Sequence, residues 1–459
     1  MSRSFAVVFF APAGVLSAIL LFCSNAQAQI RYDTGADTIF AHSQTSPLWI
    51  SAQGNFIFQW HPRFAAQYSG ANSFAHASQQ AVSAVETLYT GLRLSPTTEA
   101  VFDLESAGGR GLGNIVGLAG LTNVDAVRNL DTVPYIARLW YREVISLSDD
   151  TVQVERGPLA QLTTLPVRRL DIHFGKFDLV DFFDLNSVAN DSHMQFMNWT
   201  VVNNGAYDYA ADTRGYTYGL ILDFEDRWWG VRFGEAMLSR RANGLNVQKN
   251  LQDAHSENYE LEFRPALIEN RTSAIRLLAF TNFANMGDYH QAIDLFRAGK
   301  TPTPEITDHP RQVSLKYGFG INAEQELGDY LRGFFRAGWN EGQHESWNYT
   351  ECDETVAFGG DLRGTLWSRP SDKLGAAFVV NGISRNHREY LALGGLGFDL
   401  GDGALSYGPE KIMECYYNLP IPLHSGLFGA LDFQYIDNPG YNRDRGPVFV
   451  PGIRMHVEL

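Results

Sequence analysis

The chain has 459 residues, a formal net charge of -15 and a mean hydropathy of -0.19, with 13% aromatic residues and 43 glycines. An acidic chain lacks the basic face that nucleic-acid binding requires, so we expect no nucleic-acid partner. Three cysteines are too few for a disulfide-stapled secreted scaffold. The composition fits a β-barrel with a wet interior and also fits a large soluble all-β protein.

The first 28 residues predict an export signal. Arg3 precedes an apolar run at 15–22, and Ala26-Gln27-Ala28 has the small-x-small pattern that signal peptidase cuts. We therefore expect residues 1–28 to be a cleaved signal peptide. Residues 29–51 show no regular alternation, and we predict that they form a periplasmic or plugging segment.

From residue 52 to the end, short segments alternate apolar and polar residues one by one. Because strand side chains have a period of two, each segment predicts a strand with one apolar and one polar face. About sixteen such strands are predicted, centred near Phe58, Leu92, Phe102, Leu139, Ile172, Leu220, Val231, Leu261 and Leu277 and then within 313–321, 331–339, 358–366, 374–380, 411–419, 427–435 and 449–459. The pattern fits a soluble sandwich with apolar faces inward or a membrane barrel with apolar faces outward.

The connections between these strands discriminate between the two folds. They alternate between short links, such as 225–227, and long links, such as 285–308 and 383–407. This alternation favours an all-β fold, a transmembrane antiparallel β-barrel over residues 52–459 with short periplasmic turns and long extracellular loops, in the outer membrane of a Gram-negative-type bacterium. The link 148–166 is long although it falls on the short side, and no pattern in it explains why.

The long link from Phe177 to Ala211 contains too many aromatic residues for a freely solvated loop. We predict that it folds into the lumen and forms a constriction. Its predicted constriction residues are Asp181, Phe182, Asp184, Asn198 and Trp199. The alternative is an aromatic-rich loop packed on the outer rim of the barrel.

If the apolar faces contact lipid, the alternate positions face the lumen, where arginines and carboxylates interleave. Guanidinium and carboxylate groups offer paired donors and acceptors that can replace the water around a neutral polyol. The predicted lining residues are Asp103, Glu105, Arg138, Trp140, Arg142, Arg169, Asp171, Arg232, Glu260, Glu262, Arg264, Arg332, Arg336, Asp361, Arg363 and Arg454. The alternative is that these charges only solvate a wide lumen.

Signals for catalysis are weak. The sequence contains no HExxH, CxxC or G-x-S-x-G motif, and its twelve histidines lack metal-ligand spacing. We therefore predict no catalytic residue, no metal site and no cofactor. The alternative is an outer-membrane enzyme that uses side chains of the outer loops, such as His255, His290, Ser384 and His387.

Several longer stretches carry a family resemblance. They are Leu104-Glu105-Ser106-Ala107-Gly108-Gly109-Arg110-Gly111-Leu112, Phe174-Gly175-Lys176-Phe177-Asp178 with Phe182-Phe183-Asp184, Gln195-Phe196-Met197-Asn198-Trp199, Asp212-Thr213-Arg214-Gly215-Tyr216-Thr217-Tyr218-Gly219 and Gly440-Tyr441-Asn442-Arg443-Asp444-Arg445-Gly446-Pro447-Val448. Together they resemble the carbohydrate-selective porin family of the OprB type. The resemblance implies a sixteen-stranded barrel through which glucose-like monosaccharides diffuse inward passively, with inward loops and an arginine-rich lumen shaping the constriction.

The expected partners are neutral sugars, outer-membrane lipid and lipopolysaccharide, and the sequence leaves a monomer or a homo-oligomer open. The alternative function is a general diffusion porin with little sugar preference. The chain ends on Leu459, whereas related barrels often end on an aromatic residue.

Overall fold

The computed structural model describes residues 38–128, 131–348 and 350–459. The predicted signal peptide and residues 29–37 of the next segment lie outside this range. The strands are β1 (Leu48–His61), β2 (Gln79–Arg93), β3 (Thr98–Gly109), β4 (Tyr135–Ser146), β5 (Thr151–Gln153), β6 (Thr164–Pro166), β7 (Arg169–Phe177), β8 (Thr217–Glu225), β9 (Trp229–Ala236), β10 (His255–Phe263), β11 (Ser273–Ala284), β12 (Ser314–Glu326), β13 (Leu331–Asn340), β14 (Glu354–Arg363), β15 (Lys373–Gly382), β16 (Glu410–Pro420), β17 (Leu427–Asp437) and β18 (Val448–Glu458). The helices are α1 (Trp199–Val202), α2 (Tyr289–Arg297) and α3 (Arg385–Ala392).

Sixteen of these strands form one closed antiparallel barrel in which each strand pairs with its sequence neighbours, and β7 follows β4 in the sheet. The barrel closes between β1 and β18, where Asn55 lies opposite His456. Closure leaves no unpaired edge, as a sheet surrounded by lipid requires. The prediction of an antiparallel barrel of about sixteen strands is confirmed.

The alternating pattern separates an outer apolar face from an inner polar face. On β12, Leu315 and Phe319 are 44% and 53% exposed, whereas Lys316 is fully buried and Asn322 is almost so. The same period of two recurs around the barrel, so the aliphatic and aromatic residues form an outer surface suited to lipid. Among the described residues, no helix is both long and apolar enough to cross a membrane.

The link 148–166 is a small hairpin at the end of the barrel that carries the short turns. Strands β5 and β6 pair as a separate two-stranded sheet. Its apolar side chains pack against β4 in a cluster that includes Val144, Leu162 and Leu165. Glu99 accepts hydrogen bonds from the backbone N–H groups of Gln161 and Leu162, at 2.5 and 2.9 Å. The extra length is therefore a folded insertion held by a wall carboxylate.

Residues 38–47 run along the same end of the barrel. The Ile39 N–H donates to the carbonyl of Glu458 at 2.9 Å. Arg156 of the hairpin donates to the carbonyl of Ser43 at 2.6 Å and lies 5.3 Å from the centre of the Trp49 ring. Strand β1 begins at Leu48 instead of at residue 52, so the last residues of the predicted N-terminal segment belong to the barrel wall.

Candidate channel constriction

The segment between β7 and β8, residues 178–216, folds into the lumen, and its first turn is fixed by its own polar residues. The Asp178 side chain accepts a hydrogen bond from the backbone N–H of Val180, and Asp181 accepts one from the backbone N–H of Asp178. Asn198 caps α1 by accepting from the backbone N–H of Thr200. Asx caps of this kind let a loop turn without a regular strand partner.

The aromatic residues of this segment pack inside the barrel. Phe196 lies 4.9 Å from Tyr416 and 6.1 Å from Phe334, measured between ring centres, and both partners belong to the wall. Trp199 is 2% exposed and belongs to the same apolar cluster. The prediction of an inward loop is confirmed, and packing on the outer rim is wrong.

Wall side chains hold the inward loop chiefly through its backbone. Glu414 accepts hydrogen bonds from the N–H groups of Met197 and Asn198, at 2.5 and 3.1 Å. Glu260 accepts from the N–H of Asp184 at 2.8 Å. Each buried carboxylate therefore satisfies loop donors that water would otherwise have to reach.

Two predicted lining arginines also hold this loop, by donating hydrogen bonds to its carbonyl groups. Arg336, fully buried, donates to the carbonyls of Ala189 and Val201 and pairs with the Asp184 carboxylate at 3.1 Å. Arg454 donates to the carbonyls of Ser192 and Gln195, both at 2.8 Å. These two arginines are anchors of the loop in this structure.

Residues 115–125, between β3 and β4, also enter the lumen, and the sequence analysis did not predict this course. Glu410 accepts hydrogen bonds from the N–H groups of Ala119 and Gly120, at 3.2 and 2.8 Å. Asp125 accepts from Asn55 of the wall at 2.8 Å. The run 115–121 contains no charged residue, and such an apolar loop has few places to lie except inside.

A dense ionic network lines the wall from β8 to β12. Arg232 lies within 3.1 Å of four carboxylates, those of Asp223, Glu225, Glu260 and Glu262. Two further arginines extend it, and their contacts are Arg264 with Glu225 and Glu262, and Arg276 with Glu262 and Glu324. Arg276 follows the inward period of β11, as the sequence pattern predicts, and is 1% exposed.

Smaller ionic groups occupy the rest of the predicted lining. Arg142 bridges Glu99 and Asp171, at 2.7 and 2.8 Å, and Arg169 also contacts Asp171 at 2.9 Å. Arg332 pairs with Asp361 through two hydrogen bonds, at 3.0 and 2.5 Å. Trp140 lies beside the ring of His173, with 5.3 Å between ring centres.

Arg138 connects the wall to the start of the inward loop. Its guanidinium makes a bidentate contact of 2.7 Å with Asp181 and lies 3.6 Å from Asp103. Glu105 accepts from the hydroxyl of Tyr216, the last residue of the same loop, at 2.9 Å. Both ends of the loop are thereby tied to the adjoining wall.

The predicted residues thus divide by location. Most of the predicted lining set is buried within the barrel, with Arg138 and Arg264 half-buried. Phe182, Asp184, Asn198 and Trp199 are buried in the inward loop, and Asp181 retains 16% of its side-chain surface. Arg363 is exposed at the end of β14, beside the turn 364–372, and is not brought together with the others.

The histidine and serine candidates of the enzyme alternative have local structural contacts. Ser384 caps α3 by accepting from the N–H of His387, and its hydroxyl donates to the carbonyl of Gly342. His387 is fully buried between Asp353, at 3.1 Å, and the Tyr289 hydroxyl, at 3.2 Å. Burial acts to raise the pKa of Asp353, but the neighbouring His387 holds it below its usual value. Within the described ranges, no group of three or more His, Cys, Asp or Glu residues is placed to hold a metal ion.

Comparison with known proteins places this barrel in a family. The model of the carbohydrate-selective porins, OprB family, matches residues 71–459. The chain belongs to this family. The family and the fold are those of a channel in the outer membrane of Gram-negative bacteria. No curated protein matches the chain in sequence.

A solved porin structure has the same fold as this chain. The high-pH structure of OprB from Pseudomonas putida is similar with a TM-score of 0.67 at 14% identity, over 90% of this chain and 94% of that one. The outer membrane channel DcaP of Acinetobacter baumannii gives a TM-score of 0.46 at 9% identity, over 90% of this chain and 97% of that one. At 14% identity, the likeness to the Pseudomonas putida protein concerns the fold alone.

Proposed function

We propose that this porin is a passive channel for glucose-like neutral monosaccharides. Its path is bordered by the predicted lining residues other than Arg336, Arg363 and Arg454 and is narrowed by the loop 178–216. The observation that supports this proposal is that the arginines of the lumen networks each contact a carboxylate or a loop carbonyl. Such a lumen presents many hydrogen-bond donors and acceptors without an unpaired positive patch that would attract anions. A neutral polyol is the solute that this chemistry favours.

The decisive experiment is planar-bilayer conductance of the purified, refolded protein with glucose, maltose, succinate and a polyamine added in turn. We expect glucose to reduce the single-channel current at millimolar or lower concentration, and succinate to have little effect. Conductance indifferent to all sugars would favour a general diffusion porin. A folded barrel with no conductance would contradict the channel and reopen the enzyme alternative.

A matched pair of variants tests the proposed lining. Arg332, which is buried and paired with Asp361, lies at the same end of the barrel as Arg363, which is exposed. We expect Arg332→Gln to change the glucose-induced reduction of the current and the ion preference of the channel, and Arg363→Gln to change neither. Equal behaviour of the two variants would exclude Arg332 from the solute path.

We also propose that the porin contacts outer-membrane lipid and lipopolysaccharide, and that it is either a monomer or a homo-oligomer. The apolar outer surface is suited to outer-membrane lipid, and the long-loop end would face lipopolysaccharide. A light-scattering mass in detergent, corrected for bound detergent, would distinguish a monomer from a homo-oligomer.

A further inference from the structure

A cavity of about 530 Å³ lies at the long-loop end of the barrel, separate from the constriction. It is formed by the segment 285–313, which contains α2, together with Ser314 of β12 and His344 of the segment 341–353. Its size is in the range of sites that bind small molecules. The polar side chains that line it and carry the argument are Asp288, His290, Gln291, Asp294, His309 and His344.

The wall of the cavity is held by hydrogen bonds between its two loops. The N–H of Tyr289 donates to the carbonyl of Gln343 at 2.9 Å, and the N–H of Glu345 donates to the carbonyl of Gly287 at 3.0 Å. The Tyr289 ring stacks on His387, with 4.3 Å between ring centres. The cavity is therefore formed before any ligand arrives, which lowers the entropic cost of binding.

The three lining histidines share one arrangement. Nδ1 of His290 lies 3.3 Å from the Asp294 carboxylate, Nδ1 of His309 lies 3.0 Å from the carbonyl of Pro310, and Nδ1 of His344 lies 2.9 Å from the Glu341 carboxylate. Since these oxygens only accept, the Nδ1 atoms of His309 and His344, which make hydrogen bonds, carry the proton. In the neutral ring Nε2 is then a hydrogen-bond acceptor.

The remaining lining adds negative charge and an apolar surface. The Asp288 and Asp294 carboxylates contribute the charge, and no Lys or Arg is among the described residues that line the cavity. The neighbouring Arg311 points to Asp253, with 3.1 Å between the charged groups. Met286, Leu295 and Pro310 supply apolar contacts of the kind that the C–H face of a sugar ring makes.

We infer that this cavity is an outer docking site for neutral sugars and amino sugars, occupied before the solute reaches the constriction. Histidine and carboxylate acceptors suit a ligand that carries many hydroxyl donors, and the acidic lining disfavours anionic sugars. The inference rests on the proposed function, because it assigns a further step to the same solute.

The test compares sugar added to the two sides of oriented single channels in a planar bilayer. We expect His309→Ala to weaken, by threefold to tenfold, the effect of glucose added on the long-loop side, with the ion conductance unchanged. His424→Ala is the matched control, because Nδ1 of His424 contacts the carbonyl of the next residue, at 3.1 Å, in the turn between β16 and β17. Gln291→Ala, on the exposed surface of α2, is a second variant with the same expected direction.

Glucosamine and glucuronate test the charge argument on the same channels and by saturation-transfer NMR of the refolded protein. We expect glucosamine to bind at least as well as glucose, and glucuronate at least threefold more weakly. Equal binding of glucuronate and glucose, or unchanged behaviour of both His309→Ala and Gln291→Ala, would overturn the docking site and leave the channel proposal intact. A wild-type current that no sugar changes would overturn the channel proposal itself.

Discussion

On strands β8 to β12 the lumen carboxylates mostly face arginines, whereas on strand β16 they accept hydrogen bonds from the backbone of inward loops. Glu262 contacts Arg232, Arg264 and Arg276. Glu410 and Glu414 instead bind the N–H groups of residues 119–120 and 197–198. The residue type and the inward position are the same on both sides. What a lumen carboxylate does is therefore set by the group that the fold places opposite it.

The largest expected loss of stability comes from removing Arg232 from the ionic network on strands β8 to β12. Arg232→Met would leave the carboxylates of Glu225, Glu260 and Glu262 without their shared partner, which should lower the free energy of unfolding by about 3–5 kcal/mol. Urea titration of the barrel in detergent measures this change. Arg168→Met removes an arginine paired with Asp226 in an exposed turn, at 2.8 Å, and should cost no more than about 1 kcal/mol. Similar losses for both variants would contradict the special role of the buried network.

On the outer face of the same wall, adding a charge should destabilise the barrel. Leu222 of β8 lies on the face that alternates with Asp223, which contacts Arg232. Leu222→Arg should lower the free energy of unfolding in lipid by about 2–4 kcal/mol if the site is near the bilayer midplane. Unfolding in vesicles measures it, and wild-type stability would contradict the lipid-facing assignment of this position.

Removing a carboxylate of β16 that holds an inward loop should disorder that loop without unfolding the barrel. Glu414→Ala removes the acceptor of two loop N–H groups, which should cost about 1–3 kcal/mol of local stability. Hydrogen exchange of residues 196–202 should accelerate, while exchange of the strands stays near wild type. Glu414→Gln keeps an acceptor oxygen and should retain more of the protection. Faster exchange of the whole barrel would show that Glu414 supports the wall instead.

The most local expected effect concerns Glu345, a loop carboxylate outside the wall that also accepts a backbone hydrogen bond. Glu345 accepts from the N–H of Gly287 at 2.9 Å, and burial raises its pKa from the ordinary 4.5 to about 7. Because the folded state binds this proton more tightly, the stability of the outer loops should fall as the pH rises from about 4.5 to about 7 and then level off. Limited proteolysis across this pH range measures the trend.

Glu345→Gln provides the control for that pH dependence. The amide keeps an acceptor for Gly287 and does not ionise, so the proteolysis of the segments 285–313 and 341–353 should depend less on pH. An identical pH dependence in the variant and the wild type would assign the effect to another group. Outer loops that become more resistant as the pH rises would contradict the raised pKa.

The sequence predicted the barrel well because lipid imposes a strict rule on each strand. A residue such as Phe319 must face outward if Lys316 and Asn322 face the lumen, and the period of two records that choice locally. The inward course of the segment 178–216 was also predictable, because its aromatic residues need a place away from water. The sequence evidence for an inward course was weaker for the segment 110–134, because the sequence analysis did not recognise its apolar run.

The partners inside the lumen were not predictable in the same way. Arg336 and Arg232 have the same inward position in their strands. Arg336 nevertheless binds carbonyls and a carboxylate of the inward loop, whereas Arg232 binds carboxylates of the wall. The period of two says which way a side chain points and contains no information about what stands on the far side of the barrel. Arg363 follows the inward period and is nevertheless exposed, because the strand ends there.

The sequence by itself thus determined the fold class, the approximate number of strands, the two faces of the wall and the inward fold of the longest aromatic loop. Only the tertiary structure decided which wall residues hold which loop, where the link 148–166 packs and how the segment 285–313 and His344 line an open cavity. The physical reason is the range of the interactions. Strand alternation depends only on whether each residue faces lipid or the lumen, which neighbouring residues in the sequence record. Hydrogen bonds such as that of Met197 with Glu414 instead join residues more than two hundred positions apart.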